Sequence, residues 1–371
     1  MDGGSLKIGR IYGIEVMLHF SWFFIFVLLA WSLSTAYFPG KFPDLGAFGY
    51  WAMGIASSLL LFISVLFHEL SHSIIALRNK IKVKSITLFF FGGVAQLRED
   101  KFTATKELRI AIAGPIFSLS LALLFYILMK LGTGVYIQAI SGYLFQLNLI
   151  LGLFNLVPGY PLDGGRVLRA YLWRKYRNLE KATYIAAEGG RLFGLFMIFF
   201  GLASIFFGGF GLWYILLGGF LYMIAKMSYQ QTVMKVVLEK VPVIKVMKKQ
   251  FKAISQDMPL NRFDFDYFVQ YEQETFPVMD GKKLMGLVRQ AHIEKAKLTH
   301  KNLCIGNITI PLGALQVLKL KDDAYHALEI MLKQNIGMLP VMSGKKLVGI
   351  VKLRTLLELV NLRAVSHKRR F

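Results

Sequence analysis

Three ionisable residues stand inside a run that is otherwise built to sit in oil: His68, Glu69 and His72 in FISVLFHELSHSIIAL, residues 62–77. Holding such a group in a bilayer costs about 2.5 to 3.5 kcal/mol on insertion scales, so a chain that keeps three of them there is expected to use them. Their spacing is H-E-x-x-H. On a helix, positions i and i+4 share a face, so both imidazoles can reach one metal ion while the glutamate next to the first can act on a water held at that ion. Zinc suits such a donor set, with two imidazoles, a carboxylate and one position left open for chemistry.

A third ligand is therefore expected. The segment NLVPGYPLDGGR, residues 155–166, supplies Asp163 just after a long apolar run. Its prolines and glycines stop a helix, and irregular backbone is tolerated at membrane depth only against protein or a wet cavity. The competing reading of Asp163 is a turn residue or helix cap ahead of Gly164 and Gly165, with Arg166 as its salt partner.

The elements that must carry these residues follow from composition. The 371 residues are 55% hydrophobic and carry a formal charge of +22. That is too apolar for an ordinary soluble enzyme and too charged for a bare membrane bundle. Six runs approach the roughly 20 apolar residues that a bilayer crossing needs: 17–37, 50–77, 108–130, 140–157, 187–207 and 211–227. The first reads as a retained span rather than a cleaved signal. Lys and Arg crowd the loops after the second and fourth runs, whereas the segments after the first, third and fifth hold little beyond Lys41 and Lys130. The positive-inside rule then puts both termini in the cytoplasm, with His68 and His72 near that side. The single cysteine, Cys304, excludes an intramolecular disulfide and a structural Cys₄ zinc site.

Between the second and third runs, IKVKSITLFFFGGVAQL, residues 81–97, alternates polar and apolar side chains and reads as a hairpin turning at Gly92 and Gly93. Such a hairpin offers an edge that an extended peptide can join; a surface loop with an apolar tip is the plainer alternative. Other polar residues have quieter readings. His19 beside Trp22 suits an interfacial anchor, and Ser71 bonds along its own helix. Glu188 and Arg191 pair three residues apart, with a gating role as the sharper alternative. Asn148 bonds to a neighbouring helix, and the glycines of 208–219 allow close helix packing.

Beyond residue 240 the apolar runs cease and a repeat takes over. FPVMDGKKLMGLVR, residues 276–289, returns 63 residues later as LPVMSGKKLVGIVK, residues 339–352, with nine of 14 positions identical. Two copies of a strand, a glycine turn and a second strand entering a helix mark an internal duplication. The pattern resembles a tandem pair of CBS modules. This implies a cytosolic α/β pair at 243–362, made of repeats 243–297 and 305–362, after a linker at 233–242 and before a basic tail at 363–371. Such pairs bind adenine nucleotides, but the positions that resemblance assigns to ribose recognition hold Arg289 and His292, then Lys352 and Thr355, with no aspartate. Ligand sensing and a purely structural or dimerising role both stay open.

Within the membrane part, residues 1–232, the stretch from about Gly13 to Arg169 resembles the site-2 proteases, the intramembrane zinc metalloproteases. The resemblance rests on His68 to His72, on the N-x-x-P-x-x-P-L-D-G-G segment from Asn155, on the Gly92-Gly93 region, and on Ala113-Gly114-Pro115 opening the third span. It implies one zinc on His68, His72 and Asp163, Glu69 as the base, and Asn155 holding the substrate or the oxyanion. The expected fold class is thus a polytopic α-helical membrane protein of about six transmembrane helices with a small membrane-associated β-hairpin or sheet, plus the cytosolic CBS pair. The expected function is hydrolysis of peptide bonds within or near the transmembrane segments of tethered proteins, such as a transcription regulator or its inhibitor. A CBS-regulated transporter or a non-catalytic membrane-protein binder are the rivals. Transport predicts duplicated broken helices, which the membrane part lacks in its sequence. The charge divides evenly, +11 on each side of residue 240. It suits contact with anionic lipid, and nucleic acid is not an expected partner because no recognition motif accompanies it.

Overall fold

Residues 14–19 alternate between buried and half-buried, residues 6–10 are exposed, and the two segments fold as a hairpin about Tyr12-Gly13 rather than as the approach to a first span. Strands β1 (Ser5–Ile11) and β2 (Ile14–His19) pair antiparallel. Tyr12 and Gly13 both have positive φ, 51° and 79°, which two-residue hairpin turns of the primed type require. The span expected from residue 17 is corrected accordingly: Met17 and Leu18 lie in β2, and the helix starts at Phe20. His19 caps that helix, its Nδ1 accepting from the Ser21 amide at 3.2 Å.

The computed structural model describes residues 4–90, 92–97, 103–209, 211–262, 273–299 and 303–368. It divides into two units, Met1–Tyr229 and Gln230–Phe371. In the first unit, α1 (Phe20–Ser32) continues through a π-helical turn (Leu33–Tyr37) to Lys41. Then follow α2 (Gly46–Arg78), α3 (Ala104–Leu131), α4 (Val135–Asn155), α5 (Asp163–Tyr176), α6 (Leu179–Phe206) and α7 (Leu212–Leu238). All but the short α5 are long and apolar enough to cross a membrane. Large apolar side chains such as Phe24, Leu123, Leu192 and Phe199 point outward, as a lipid-facing surface demands. The chain is a multi-pass membrane protein.

Strands β3 (Val83–Phe89) and β4 (Gly92–Leu97) complete a sheet in the order β1-β2-β3-β4, in which β2 and β3 are parallel and β3 and β4 antiparallel. The expected turn at Gly92 and Gly93 is corrected here. Both glycines belong to β4 and pair with Phe89 and Leu88, so the turn precedes them. Ile14, Ile86, Leu70, Ala76 and Ile110 form one buried cluster that fastens the sheet to α2 and α3. At the other end of α2, Met53 packs with Leu33, Phe38 and Leu144. Helices α6 and α7 approach through glycine: a Cβ on Gly194 would meet the Gly218 carbonyl, and one on Gly218 would meet that of Gly194. Asn148 donates to Ser64 Oγ at 3.3 Å across to α2, and Arg191 lies beside Glu188.

Helix α7 runs to Leu238, so residues 233–238, expected as linker, are helical. No Gly or Pro interrupts QQTVMKVVL, and Pro242 comes only later. The second unit contains two small sheets. One has β5 (Ile254–Ser255), β6 (Thr275–Asp280), β7 (Lys283–Arg289) and β8 (Ile310–Pro311) in sequential order; the other runs β11 (Lys346–Lys352), β10 (Met338–Ser343), β9 (Leu318–Lys319). Helices α8 (Gln290–Thr299) and α10 (Leu353–Lys368) follow β7 and β11, and α9 (Ala324–Gln334) precedes β10. The duplication read from sequence is exact in register: Thr275 opposes Arg289 and Met338 opposes Lys352, and a bulge follows Val278 in one copy and Val341 in the other. Leu287, Leu315, Ile336, Met338 and Ile350 form a core drawn from both copies. The side chains of the basic tail lie outside the described residues.

Candidate metal centre

His68 and His72 lie one turn apart on the inward face of α2, each 4% exposed. The outer nitrogen of each ring is held by α3: His72 Nδ1 is 2.6 Å from the carbonyl oxygen of Ile110, and His68 Nδ1 is 2.8 Å from Ser118 Oγ. A carbonyl oxygen only accepts, so His72 Nδ1 donates to it, and Nε2 is the ring nitrogen turned toward Asp163. The two Nε2 atoms converge, 3.3 Å apart.

Asp163 comes to them from the start of α5. Its Oδ2 lies 3.2 Å from His68 Nε2 and 3.0 Å from His72 Nε2. The alternative reading of this residue as a helix cap is not what the geometry shows: Leu162 occupies the cap position and Asp163 is the first helical residue. Its other oxygen reaches toward Arg166 at 3.5 Å, so the salt partner foreseen for it is present. The chain enters α5 through a loop folded tightly onto it. A Cβ on Gly164 would collide with the Leu156 carbonyl, and one on Gly165 with the Gly159-Tyr160 peptide. Only glycine admits backbone so close, which explains the pair that follows Asp163.

The donor set fits a zinc ion. A tetrahedral ion with bonds of about 2.0 to 2.1 Å needs its ligand atoms roughly 3.3 Å apart, and the three atoms here are separated by 3.0 to 3.3 Å. His68, His72 and Asp163 are the one such group among the described residues. Gly114 of α3 leaves the room: a Cβ there would strike Nε2 of both rings.

Glu69, the next residue on α2, is partly buried and lies against β4, where a Cβ on Gly93 would run into its side chain. Asn155 ends α4 with its side chain partly buried and makes no hydrogen bond to the triad among the described residues. Sequence reasoning missed Ser118, which carries no signal, and a buried ion pair between Glu107 of α3 and Arg169 of α5. The second was legible: a glutamate at the edge of an apolar span raises the same question of cost as Glu69.

A multi-span helical bundle that buries an H-E-x-x-H helix against a carboxylate from a second helix defines a membrane metallopeptidase. The comparisons agree. The model of peptidase family M50 matches residues 56–140 and 133–200, and that of the CBS domain matches residues 313–362. The chain is 34% identical to the Mycobacterium tuberculosis protein Rip3 over 88% of this chain and 85% of that one. It is 32% identical to the zinc metalloprotease MJ0392 of Methanocaldococcus jannaschii, over 80% and 81%. Among solved structures it is similar to a site-2 protease from Methanocaldococcus jannaschii, 33% identical with a TM-score of 0.43, over 61% of this chain and 95% of that one. The chain belongs to peptidase family M50. It is a membrane zinc metalloprotease that carries a CBS region.

Proposed function

We propose that this chain is an intramembrane endopeptidase that cuts within or beside the transmembrane segments of membrane-tethered proteins. In this reading His68, His72 and Asp163 hold one zinc, Glu69 moves the proton, and Asn155 steadies the oxyanion. The supporting observation is the contact of β4 with Glu69: the last strand of the sheet passes the acid that follows His68, with glycine at the point of approach. A substrate strand added to that edge would lie with its carbonyls beside the triad.

The residues divide the work as follows. A transmembrane helix hides its peptide bonds in its own hydrogen bonds, so it must unwind before a carbonyl is available. Pairing with the β4 edge replaces the lost bonds and offsets that cost. Zinc at the triad supplies a Lewis acid that polarises the carbonyl and makes water nucleophilic near neutral pH. Glu69 accepts a proton from the attacking water and returns it to the leaving amide nitrogen. Asn155 donates to the oxygen on which charge develops.

The remaining assignments rest on sequence. Residues 1–232 form the protease and 243–362 the CBS pair, with the termini and the pair on the cytoplasmic side. The pair modulates cleavage or joins two copies, and the basic surface meets anionic lipid. The decisive experiment incubates the zinc-loaded protein and its Glu69→Gln form with a panel of single-span proteins. Cleavage is expected only with the first; products of equal yield from both would overturn the reading. A separate pair of substitutions, Val94→Pro and Ala95→Pro, tests strand addition. Neighbouring amides point to opposite edges of a strand, so one of the two removes an outward donor without touching the β3 ladder. Cleavage unchanged in both would remove the edge from the mechanism.

A further inference from the structure

The three ligands share one support. Along α3, residues Glu107, Ile110, Gly114 and Ser118 are all buried, and intervals of three and four place them on one face. The carbonyl of Ile110 holds His72, and the hydroxyl of Ser118 holds His68. Gly114 stands opposite both Nε2 atoms. At the near end of the same stripe, Glu107 accepts from Arg169 of α5, through Nε at 2.7 Å and through Nη2. Asp163 begins α5, six residues before Arg169. Arg169 also lies over the Tyr160 ring, 4.8 Å from its centroid, on the loop that leads into Asp163.

We propose that Glu107 and Arg169 are positioning residues for the metal centre, which set the distance of Asp163 from the two histidines by tying α5 to the stripe that already orients both rings. This rests on the reading of His68, His72 and Asp163 as zinc ligands. Glu107 is completely buried, and its Oε2 has no hydrogen-bond partner among the described residues. A buried carboxylate is costly to keep, and one spent on joining two helices elsewhere in a bundle is commonly replaceable by apolar packing. Here one of the two helices it joins carries Asp163, and the other orients both histidine rings of α2. The tie works by geometry: Nε and Nη2 of Arg169 both converge on Oε1 of Glu107 and hold the two helix faces together, and metal sites tolerate only about 0.2 Å of ligand displacement.

The test compares zinc affinity, by chelator competition in detergent, with the thermal stability of the metal-free full chain. Glu107→Gln and Arg169→Gln are expected to weaken zinc binding about 10- to 100-fold, the range for residues that orient metal ligands. A merely structural pair would lower stability and leave the zinc affinity of the folded protein unchanged. Where a single substitution strands a buried charge and prevents folding, the double form Glu107→Met with Arg169→Met removes both charges and keeps the volume. It too is expected to fold and to bind zinc about 10-fold more weakly. Wild-type zinc affinity in the folded double form would overturn the proposal. His68→Ala and Asp163→Ala run in parallel: if those retain full affinity, it is the ligand reading that fails, and the two failures are thereby told apart.

Discussion

Gly114→Ala sets two effects against each other. Alanine is a better helix former than glycine by about 1 kcal/mol, and Gly114 lies in the middle of α3, so the metal-free helix should gain. The added Cβ, however, would lie 2.6 Å from His68 Nε2 and nearer still to His72 Nε2, where ordinary contact begins at 3.4 Å. The rings or the helix must then retreat by roughly 1 Å, several times the 0.2 Å that metal–ligand distances tolerate. Displacing ligand atoms outright should cost at least as much as the worst loss of an orienting partner. That puts the fall in zinc affinity on the order of 100-fold, or about 2.8 kcal/mol. The assay is competition against a zinc chelator in detergent, with thermal unfolding of the metal-free protein alongside. Expected is collapsed zinc affinity with metal-free stability lowered by no more than about 2 kcal/mol, the helix gain offsetting part of an overpacking cost of about 1 to 3 kcal/mol. Zinc binding within about threefold of wild type, a difference under roughly 0.7 kcal/mol, would refute the account of Gly114 as the space that the centre needs.

Three further outcomes are expected. Gly93→Ala pushes on Glu69 rather than on the ligands, so zinc affinity should hold while kcat falls roughly 100-fold or more, the lower range for a displaced proton carrier; steady-state kinetics with metal analysis separates the two. Ser118→Ala removes the partner of His68 Nδ1 and should weaken zinc about 10-fold or more by the same competition assay. At the surface, Lys7 and Arg10, each 2.6 Å from the Glu15 carboxylate, hold its pKa at about 2, below the usual 4.5. A lowered folded-state value means that its contribution to the β1–β2 hairpin is complete above about pH 4.5 and is lost as pH falls through about 2. Amide protection factors in β1 and β2, which remove the intrinsic pH dependence of exchange, should therefore be flat from pH 7 to 4.5 and fall below. Glu15→Gln should show the lower protection already at pH 7, by a small margin because the ion pair is exposed.

What was legible in the sequence was whatever repeats or costs energy. His68, Glu69 and His72 announced themselves because charge in an apolar run is expensive, and the six spans because a bilayer imposes a length. The CBS pair showed itself because 276–289 and 339–352 share nine of 14 positions at a fixed spacing. The β1–β2 hairpin was hidden by its neighbour, since apolar Val16 and Leu18 run straight into the first span and a hydropathy reading absorbs them. The alternation after Tyr12-Gly13 was the signal that could have separated them. Gly92 and Gly93 misled for a different reason. Glycine marks both turns and close approaches, and only the position of Glu69 in space decides between them. Ser118 and Gly114 could not be found from one sequence, because a serine and a glycine in a membrane helix are ordinary until the histidines are seen opposite.

The length of α2 bears on where the reaction gets its water. Its 33 residues span about 50 Å, against a hydrocarbon core of about 30 Å. His68 lies 22 residues, or about 33 Å, along the helix from Gly46, so a span that begins at one face brings the metal centre to the margin of the other. On the proposed function, hydrolysis consumes one water for each bond cut, and from that position the supply would come from the side of the basic loops without a channel through the bilayer, so the new charged ends would form beside that surface.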